Sequence, residues 1–330
     1  MKRFSNLRML ATIVLVAFGL YISSVNTLLA LLCFFAAVWL LPLKLSRYIL
    51  AFKSIAAIIL FILIAEEQVY SREANTGIMT VTFIDVRQGD STLIRTPDRK
   101  TILIDAGTAE SANAVAAVLN DYQIHTIDHL VGTHPHADHI GGMPDLIHRF
   151  AVKEYIQPET GSFSLEENYY ADKVNTALQS AHIPVISASY GYVIDSGENW
   201  SAEVLSPHAG ASFEDLNDYS LIIRLTYGKT SFLFTGDAGY TAELELLDED
   251  LQCDVLKVGH HGSFGSTCTA FLAETEPEIG VISVGKDNEN NLPNDYVLQR
   301  LTEEGVRILR TDENGTIVIH SDGRSVKVIE

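Results

Sequence analysis

Three apolar runs open the chain. Residues 9–25, 27–43 and 49–65 are almost free of charge, and each is about 17 residues long, near the lower limit for a helix that crosses a bilayer. Ser23-Ser24-Val25-Asn26 separates the first run from the second, and Lys44-Leu45-Ser46-Arg47 separates the second from the third. A secretory signal explains one such run, not three, and no A-x-A-like cleavage site follows the third. The pattern predicts a transmembrane anchor of about three helices over 1–67, a polar linker over 68–77 and a separate domain over 78–330.

Beyond the linker the period changes. Residues 79–86 and 91–96 alternate with β-branched residues and read as strands. A turn at Pro97-Asp98-Arg99-Lys100 leads to a third strand over 101–105, and the Ala-rich stretch 111–120 reads as a helix. A strand over 129–133 follows, then a helix over 166–181 and a strand over 183–187. Residues 219–227 and 230–235 form a hairpin about Gly228-Lys229, a strong two-residue turn signal. Strands over 254–258 and 278–284 enclose a helix over 267–275. Further helices are expected over 240–247 and 296–304, and closing strands over 306–310 and 316–320. No solenoid-period repeat and no low-complexity tract interrupts this order.

Charge sets an orientation for the anchor. Lys2, Arg3 and Arg8 precede the first run, and Lys44 and Arg47 lie between the second and third. Three crossings put both clusters on one side, and positive residues are retained in the cytoplasm. Lys53, near the inner end of the third run, can snorkel to the interface. The expected location is therefore the cytoplasmic membrane, multi-pass, with the large domain outside the cytoplasm. Net charge is −19, and the first 67 residues carry six Lys or Arg against two Asp or Glu, which leaves about −23 on the rest. Such a domain repels polyanions at long range. That argues against tight non-specific nucleic-acid binding, which needs phosphates neutralised by Lys and Arg. A nuclease would rely on metals and on local positives such as Arg87, Lys229 or Lys257. The three cysteines make no disulfide framework: Cys33 lies in an apolar run, while Cys253 and Cys268 could pair in an oxidising exterior or remain buried thiols.

The chemistry concentrates in Thr133-His134-Pro135-His136-Ala137-Asp138-His139-Ile140-Gly141-Gly142. Three of the chain's 11 histidines fall here. Imidazole and carboxylate at this density suit a divalent transition metal. His134 and His136 can face one way if the chain is extended. Asp138 and His139 cannot, so the backbone must turn and aim the second pair at a neighbouring point. Gly141-Gly142 supplies flexibility, and Met143-Pro144 reads as a helix start. G-x-S-x-G and a Walker A loop are both absent.

H-x-H-x-D-H resembles the signature of the metallo-β-lactamase fold superfamily. Phe83-Ile84-Asp85-Val86-Arg87-Gln88-Gly89-Asp90-Ser91 resembles the opening of the hydrolase domain of ComEC-type competence proteins. Asn217-Asp218-Tyr219-Ser220-Leu221, Phe234-Thr235-Gly236-Asp237, Lys257-Val258-Gly259-His260-His261-Gly262-Ser263, Val281-Ile282-Ser283-Val284-Gly285 and Arg310-Thr311-Asp312 extend the likeness in order over roughly 78–323. The resemblance implies an α/β fold, a four-layer αββα sandwich. It implies a metal site of His134, His136, Asp138, His139, Asp237 and His261, with Asp237 bridging two divalent ions, zinc with Mn or Mg as alternatives. Related H-x-S loops favour His261 as the ligand with His260 behind it, and the reverse assignment stays open. Where the superfamily usually offers a further His, this chain has Asn217 and Asp218, either weak ligands or turn residues. Asp105 is expected to accept a hydrogen bond from a ligand histidine, and Asp85, Gln88 and Asp90 to shape the mouth.

Two departures stand out. Arg87 replaces the family's first Gly, and Leu292 falls where N-x-Y-G-H-P carries His. The implied activity is metal-assisted hydrolysis of a phosphodiester, with single-stranded DNA or another extracytoplasmic nucleic acid as substrate. Asp138 would orient the metal-activated water or act as base. A lactam, lactone or thioester hydrolase is one alternative. The other is a non-enzymatic metal-stabilised domain serving DNA-uptake or envelope components. Three short spans cannot form the large channel region of full ComEC-type proteins.

The topology is testable with reporters fused after Glu330. Alkaline phosphatase should be active there and a cytoplasm-dependent fluorescent protein dark. The reverse result requires an even number of crossings and puts the domain inside.

Overall fold

The computed structural model describes residues 77–159 and 165–329, with side chains omitted for residues 165–168. The three apolar runs and most of the linker lie outside the described residues. Among the described residues no helix is long and apolar enough to cross a membrane.

Fifteen strands occur among the described residues: β1 Met79–Phe83, β2 Thr92–Arg95, β3 Thr101–Ile104, β4 Thr126–Val131, β5 Ala151–Pro158, β6 Val185–Ala188, β7 Val193–Ser196, β8 Trp200–Ser206, β9 Ile222–Tyr227, β10 Thr230–Phe234, β11 Val255–Lys257, β12 Ile279–Ile282, β13 Arg307–Arg310, β14 Ile317–Ser321 and β15 Val326–Ile329. They make an eight-stranded sheet, ordered β15-β14-β1-β2-β3-β4-β5-β6, and a seven-stranded sheet, ordered β13-β12-β11-β10-β9-β8-β7. The inner faces meet across one apolar layer. Phe83 and Ile104 of the first sheet share it with Phe232, Phe234 and Val281 of the second, and the Phe83 and Phe234 rings lie 6.1 Å apart. A buried ring of this size contributes roughly 1.5–3 kcal/mol by removal from water.

Helices cover both outer faces. Ala112–Asp121, Met143–Arg149 and the C-terminal part of Leu165–Ala181 bury Val115, Leu119, Leu146 and Leu178 against the first sheet. Tyr240–Leu244, Thr269–Thr275 and Asp295–Glu303 bury Ala242, Phe271, Val297 and Leu301 against the second. This is the expected αββα order. The hairpin at Gly228-Lys229 is present, with Tyr227 opposite Thr230.

The strands β5, β7, β8 and β15 were not anticipated from the sequence. β7 and β15 are short and half-exposed, so neither offers the clean alternation that marks a strand. Of the two alternatives for Cys253 and Cys268 the structure has the unpaired one: both are free thiols, Cys253 buried and Cys268 half-buried. His129 links the sheets. Its Nδ1 lies 2.8 Å from Glu154 on β5 and its Nε2 2.8 Å from Asp195 on β7.

β3, β4, β5 and β6 run parallel, as do β10, β11, β12 and β13. β1 is antiparallel to β2, and β2 to β3, so β1 points the same way as β3. The loops after β1, β3 and β4 therefore share one edge of the first sheet, as the loops after β10, β11 and β12 do in the second.

The loop after β11 is held by Glu243, which is fully buried. Its carboxylate accepts hydrogen bonds from the backbone N–H of Thr267 and of Cys268, the residue that precedes the helix Thr269–Thr275. Burial pushes its pKa up to about 7, against an ordinary value of 4.5. The folded value is the higher one, so the stability Glu243 lends is complete below 4.5 and is lost as pH rises toward 7. The Glu243→Gln variant should lack that component, on the order of 3 kcal/mol across the interval. Urea unfolding of both proteins from pH 4.5 to 8 measures it as a changing difference between them; a constant difference would contradict it.

Candidate metal centre

The six residues implied as ligands come from three loops on the two sheet edges, those after β4, β10 and β11. After β4 the chain bends through Thr133–Pro135 and enters a short helical turn, Ala137–Ile140. That turn is the required change of direction, and it gives Asp138 and His139 a course different from that of His134 and His136. Gly141 and Gly142 act by close packing rather than flexibility: a Cβ at Gly142 would lie 2.3 Å from the Ala106 carbonyl oxygen. Asp237 follows β10, and His260 and His261 follow β11 on a turn where both have positive φ, 48° and 54°.

The donors converge. His134, His139 and Asp237 each offer an atom within 4.8 Å of the others, as do Asp138, His139 and His261, and Asp90, Asp237 and His261. Asp90, Asp105 and His139 make a further group, so His139 belongs to three and Asp237 and His261 to two each; Asp237 Oδ1 lies 3.2 Å from His139 Nε2. The other carboxylate oxygen of Asp237 lies 3.4 Å from His261 Nε2 and 3.6 Å from His260 Nε2. His136 stands beside His134, Nδ1 to Nε2 at 3.0 Å. The His261 ring is buried and Asp138 Oδ2 is 3.3 Å from its Nε2, whereas the His260 side chain is one-third exposed.

Neighbouring groups hold each ring by its other nitrogen. His139 Nδ1 donates to Asp105 Oδ2 at 2.7 Å, and Asp105 in turn accepts from the backbone N–H and hydroxyl of Thr133. His261 Nδ1 donates to the Ser283 carbonyl at 2.8 Å. Such partners fix ring orientation and leave Nε2 with its lone pair toward the centre. Asp105 thus makes a hydrogen bond to one of the candidate ligand histidines. Asp218 does not face this way: its Oδ1 accepts from the Gly239 backbone and steadies the turn after Asp237. Asn217 Oδ1 is buried without a hydrogen bond.

Several participants escaped the sequence reading. Asp90 is buried rather than at the mouth, and Lys257 Nζ binds its Oδ2 at 2.8 Å. Ser220 Oγ accepts from the Asp237 backbone N–H at 3.1 Å and lies 3.3 Å from His134 Nδ1. Ser220 lies within a matched block, so its type was visible; its contact, 86 residues from His134, was not.

Electrostatics fit a cation. Burial and the neighbouring His139 hold the His134 imidazole well below its ordinary value, so it is neutral with a lone pair to give. Burial works against charge on His139, yet the carboxylates of Asp237 and Asp105 outweigh it and hold this ring well above its ordinary value. Burial likewise opposes charge on His261, and Asp237 and Asp90 override it. Burial opposes the Asp138 carboxylate too, but the adjacent His261 ring and the charge of His139 keep it below the usual range. A field that favours a proton at these rings also favours a divalent ion between them. The buried His139 Nε2, His261 Nε2, Asp237 Oδ1 and Asp90 Oδ1 form no hydrogen bonds. Uncompensated buried donors and acceptors of this kind are rare, and their nitrogen and oxygen chemistry fits divalent metal ions.

Residues 84–286 match the metallo-beta-lactamase superfamily. The chain belongs to that superfamily. Among its relatives, "ComE operon protein 3" of Bacillus subtilis (strain 168) is 33% identical over 256 residues, 72% of this chain and 32% of that protein. "Competence protein ComA" of Neisseria gonorrhoeae is 30% identical over 241 residues, 72% of this chain and 31% of that one. The chain spans about a third of the length of these relatives. A solved metallo-beta-lactamase fold protein, YhfI from Bacillus subtilis, superposes with a TM-score of 0.51 at 13% identity, covering 74% of this chain and 99% of that one. That likeness is one of fold.

Asp237 belongs to more than one donor group, so Asp237→Ala should lose more bound metal than Asn217→Ala. Elemental analysis of the two purified variants beside wild type checks this. Equal losses would argue against a bridging carboxylate.

Proposed function

We propose that this chain is a membrane-anchored, metal-dependent phosphodiesterase of nuclease type, acting on nucleic acid outside the cytoplasm. The observation that carries the reading is the set of buried, unbonded donors His139 Nε2, His261 Nε2 and Asp237 Oδ1 facing one another. The similarity to competence proteins supports a role beside DNA uptake. The anchor over 1–67, with its paired basic clusters, supports the location.

His134, His136, Asp138, His139, Asp237 and His261 would hold two divalent ions, zinc being the best match to three or more imidazoles with carboxylates. Bound ions supply an acidified water and positive charge against the phosphoryl oxygens. The protein's own residues do the rest. Asp138 is partly exposed, 30% at its side chain, and its carboxylate is held ionised. It orients the attacking water and accepts its proton. His260, at the exposed edge of the cluster and 3.6 Å from Asp237, is placed to donate a proton to the leaving oxygen. Asp105 and the Ser283 carbonyl keep His139 and His261 in register. The family's late histidine is replaced by Leu292, half-buried against the apolar layer of the second sheet, so it gives no proton.

Chelation should abolish turnover of a chromogenic phosphodiester, and Zn²⁺ or Mn²⁺ should restore it. Asp138→Ala should lower kcat by roughly 10²–10⁴-fold with an unchanged circular-dichroism spectrum. Turnover that survives exhaustive chelation would refute the metal mechanism. Bound metal without turnover of a phosphodiester or a lactam would favour a structural role in an uptake or envelope complex.

A further inference from the structure

An ion pair lies behind the metal centre, and neither partner is among the six expected ligands. Lys257 ends β11 and is 2% exposed; Asp90, in the loop between β1 and β2, is 4% exposed. The Lys257 Nζ lies 2.8 Å from Asp90 Oδ2 and donates to the Val258 carbonyl at 2.9 Å. The pair spans the sandwich, since β11 belongs to the seven-stranded sheet and β1 and β2 to the eight-stranded one. Two charges buried in this way seldom add stability, because an apolar pair of similar volume serves as well or better. An ion pair kept at this depth beside a metal centre points to a use for its charges.

The backbone of Asp90 is bound into the ligand loops. Its N–H donates to the Asp138 carbonyl at 3.1 Å, and its carbonyl accepts from Gly107, after β3, at 2.8 Å. Gly89 is pressed against the same metal loop: a Cβ there would stand 2.3 Å from the Asp138 carbonyl oxygen. Asp90 therefore joins the loops after β3 and β4 through its main chain and reaches the end of β11 through its side chain.

Its carboxylate faces two candidate ligand rings from behind. Oδ1 lies 3.4 Å from His261 Nδ1, and Oδ2 lies 4.0 Å from His139 Nδ1. Distance alone would count Asp90 among the metal donors. The side of each ring argues for a different place. The nitrogens that meet Asp237 are the two Nε2 atoms, while the two Nδ1 atoms already donate to Asp105 and to the Ser283 carbonyl. Asp90 thus stands on the far side of both rings, where its negative charge would add to that of Asp105, Asp138 and Asp237. Lys257 meets that charge where it stands.

We propose that Asp90 and Lys257 are a charge-cancelling positioning pair for the metal centre. Asp90 clamps the loop that carries Asp138 and His139, and Lys257 cancels the charge of the clamp. The ligands are held without any change in the centre's pull on a cation. The inference rests on the metal centre of the proposed function and not on its substrate. A unit charge left unbalanced at this depth acts on a divalent ion through protein, where the attraction or repulsion is several times stronger than across water.

Metal affinity tests the pair, and turnover is not needed. The full-length protein in mild detergent is stripped of metal and titrated with Zn²⁺ against a chromogenic chelator. Asp90→Asn leaves the ammonium unbalanced and should weaken Zn²⁺ binding by about tenfold or more. Lys257→Met leaves the carboxylate and should bind Zn²⁺ at least as tightly as wild type. Asp90→Asn combined with Lys257→Met restores neutrality and should return the affinity to within about threefold of wild type, a non-additive result. Lys327→Met, which removes an exposed charge from the closing hairpin, should change nothing. A pair that served only as a strut would give weaker binding in both single variants and no recovery in the double one. That order, or Lys257→Met binding more weakly than wild type, overturns the proposal. Circular dichroism checks that each variant folds. Where a single variant does not fold, the double variant decides: wild-type affinity upholds the proposal, and a loss of about tenfold overturns it. Wild type that takes up no Zn²⁺ would refute the metal centre and the pair with it, whereas normal wild-type binding with the wrong order of variants refutes the pair alone.

Discussion

Asp237 meets His139 at 3.2 Å across the junction of the two sheets, and the centre is organised about that contact. One partner ends a strand of the seven-stranded sheet. The other stands in the turn that follows a strand of the eight-stranded sheet. Both are buried, and neither contacting atom is hydrogen-bonded. Burying a carboxylate beside several imidazoles is expensive without a compensating charge. The arrangement is held by partners on the far side of each group: Asp105 on His139, the Ser283 carbonyl on His261 and Lys257 on Asp90.

That requirement explains the depth of the supporting shell. Asp105 uses one carboxylate to order Thr133 and His139 together. Ser283 offers its carbonyl to His261, and Ser220 its hydroxyl to the Asp237 backbone. Lys257, buried at the end of β11, places an ammonium against Asp90, and with burial opposing the charge it is Lys257 that holds this carboxylate low. Rings anchored by one nitrogen cannot rotate the other away. The price is a rigid floor, and the chain's freedom is left to the rim, where Arg87, Lys286, Phe264 and Tyr296 face solvent.

The sandwich also explains why the rim and the floor differ in character. Strand ends place the candidate ligands reproducibly because β3, β4, β10, β11 and β12 are locked by the apolar layer between the sheets. Loops beyond them are held by a few hydrogen bonds, such as those of Asn288 and Glu243. Substitutions in those loops disturb little of the core. Arg87 for Gly and Leu292 for His fall there, so this member of the superfamily can differ in what it takes while keeping the centre that metals require.

Much of this was present in the order of residues. The strands β1 to β4 and β9 to β12 were legible as short β-branched or apolar runs bounded by turn residues, and His134 to His139 lie close enough in sequence to mark a candidate metal loop unaided. Local spacing suffices when the interacting groups are near neighbours. The tertiary structure alone decided the rest. Asp90, Ser220, Lys257 and Ser283 are ordinary residues until folding brings them from four separate loops or strand ends to the same centre, and no periodicity marks such a meeting. β7 and β15 escaped because short, half-exposed edge strands are stabilised by their neighbours' hydrogen bonds rather than by a pattern of their own. His129 became a tie between sheets only because β5 and β7 deliver carboxylates to its two nitrogens.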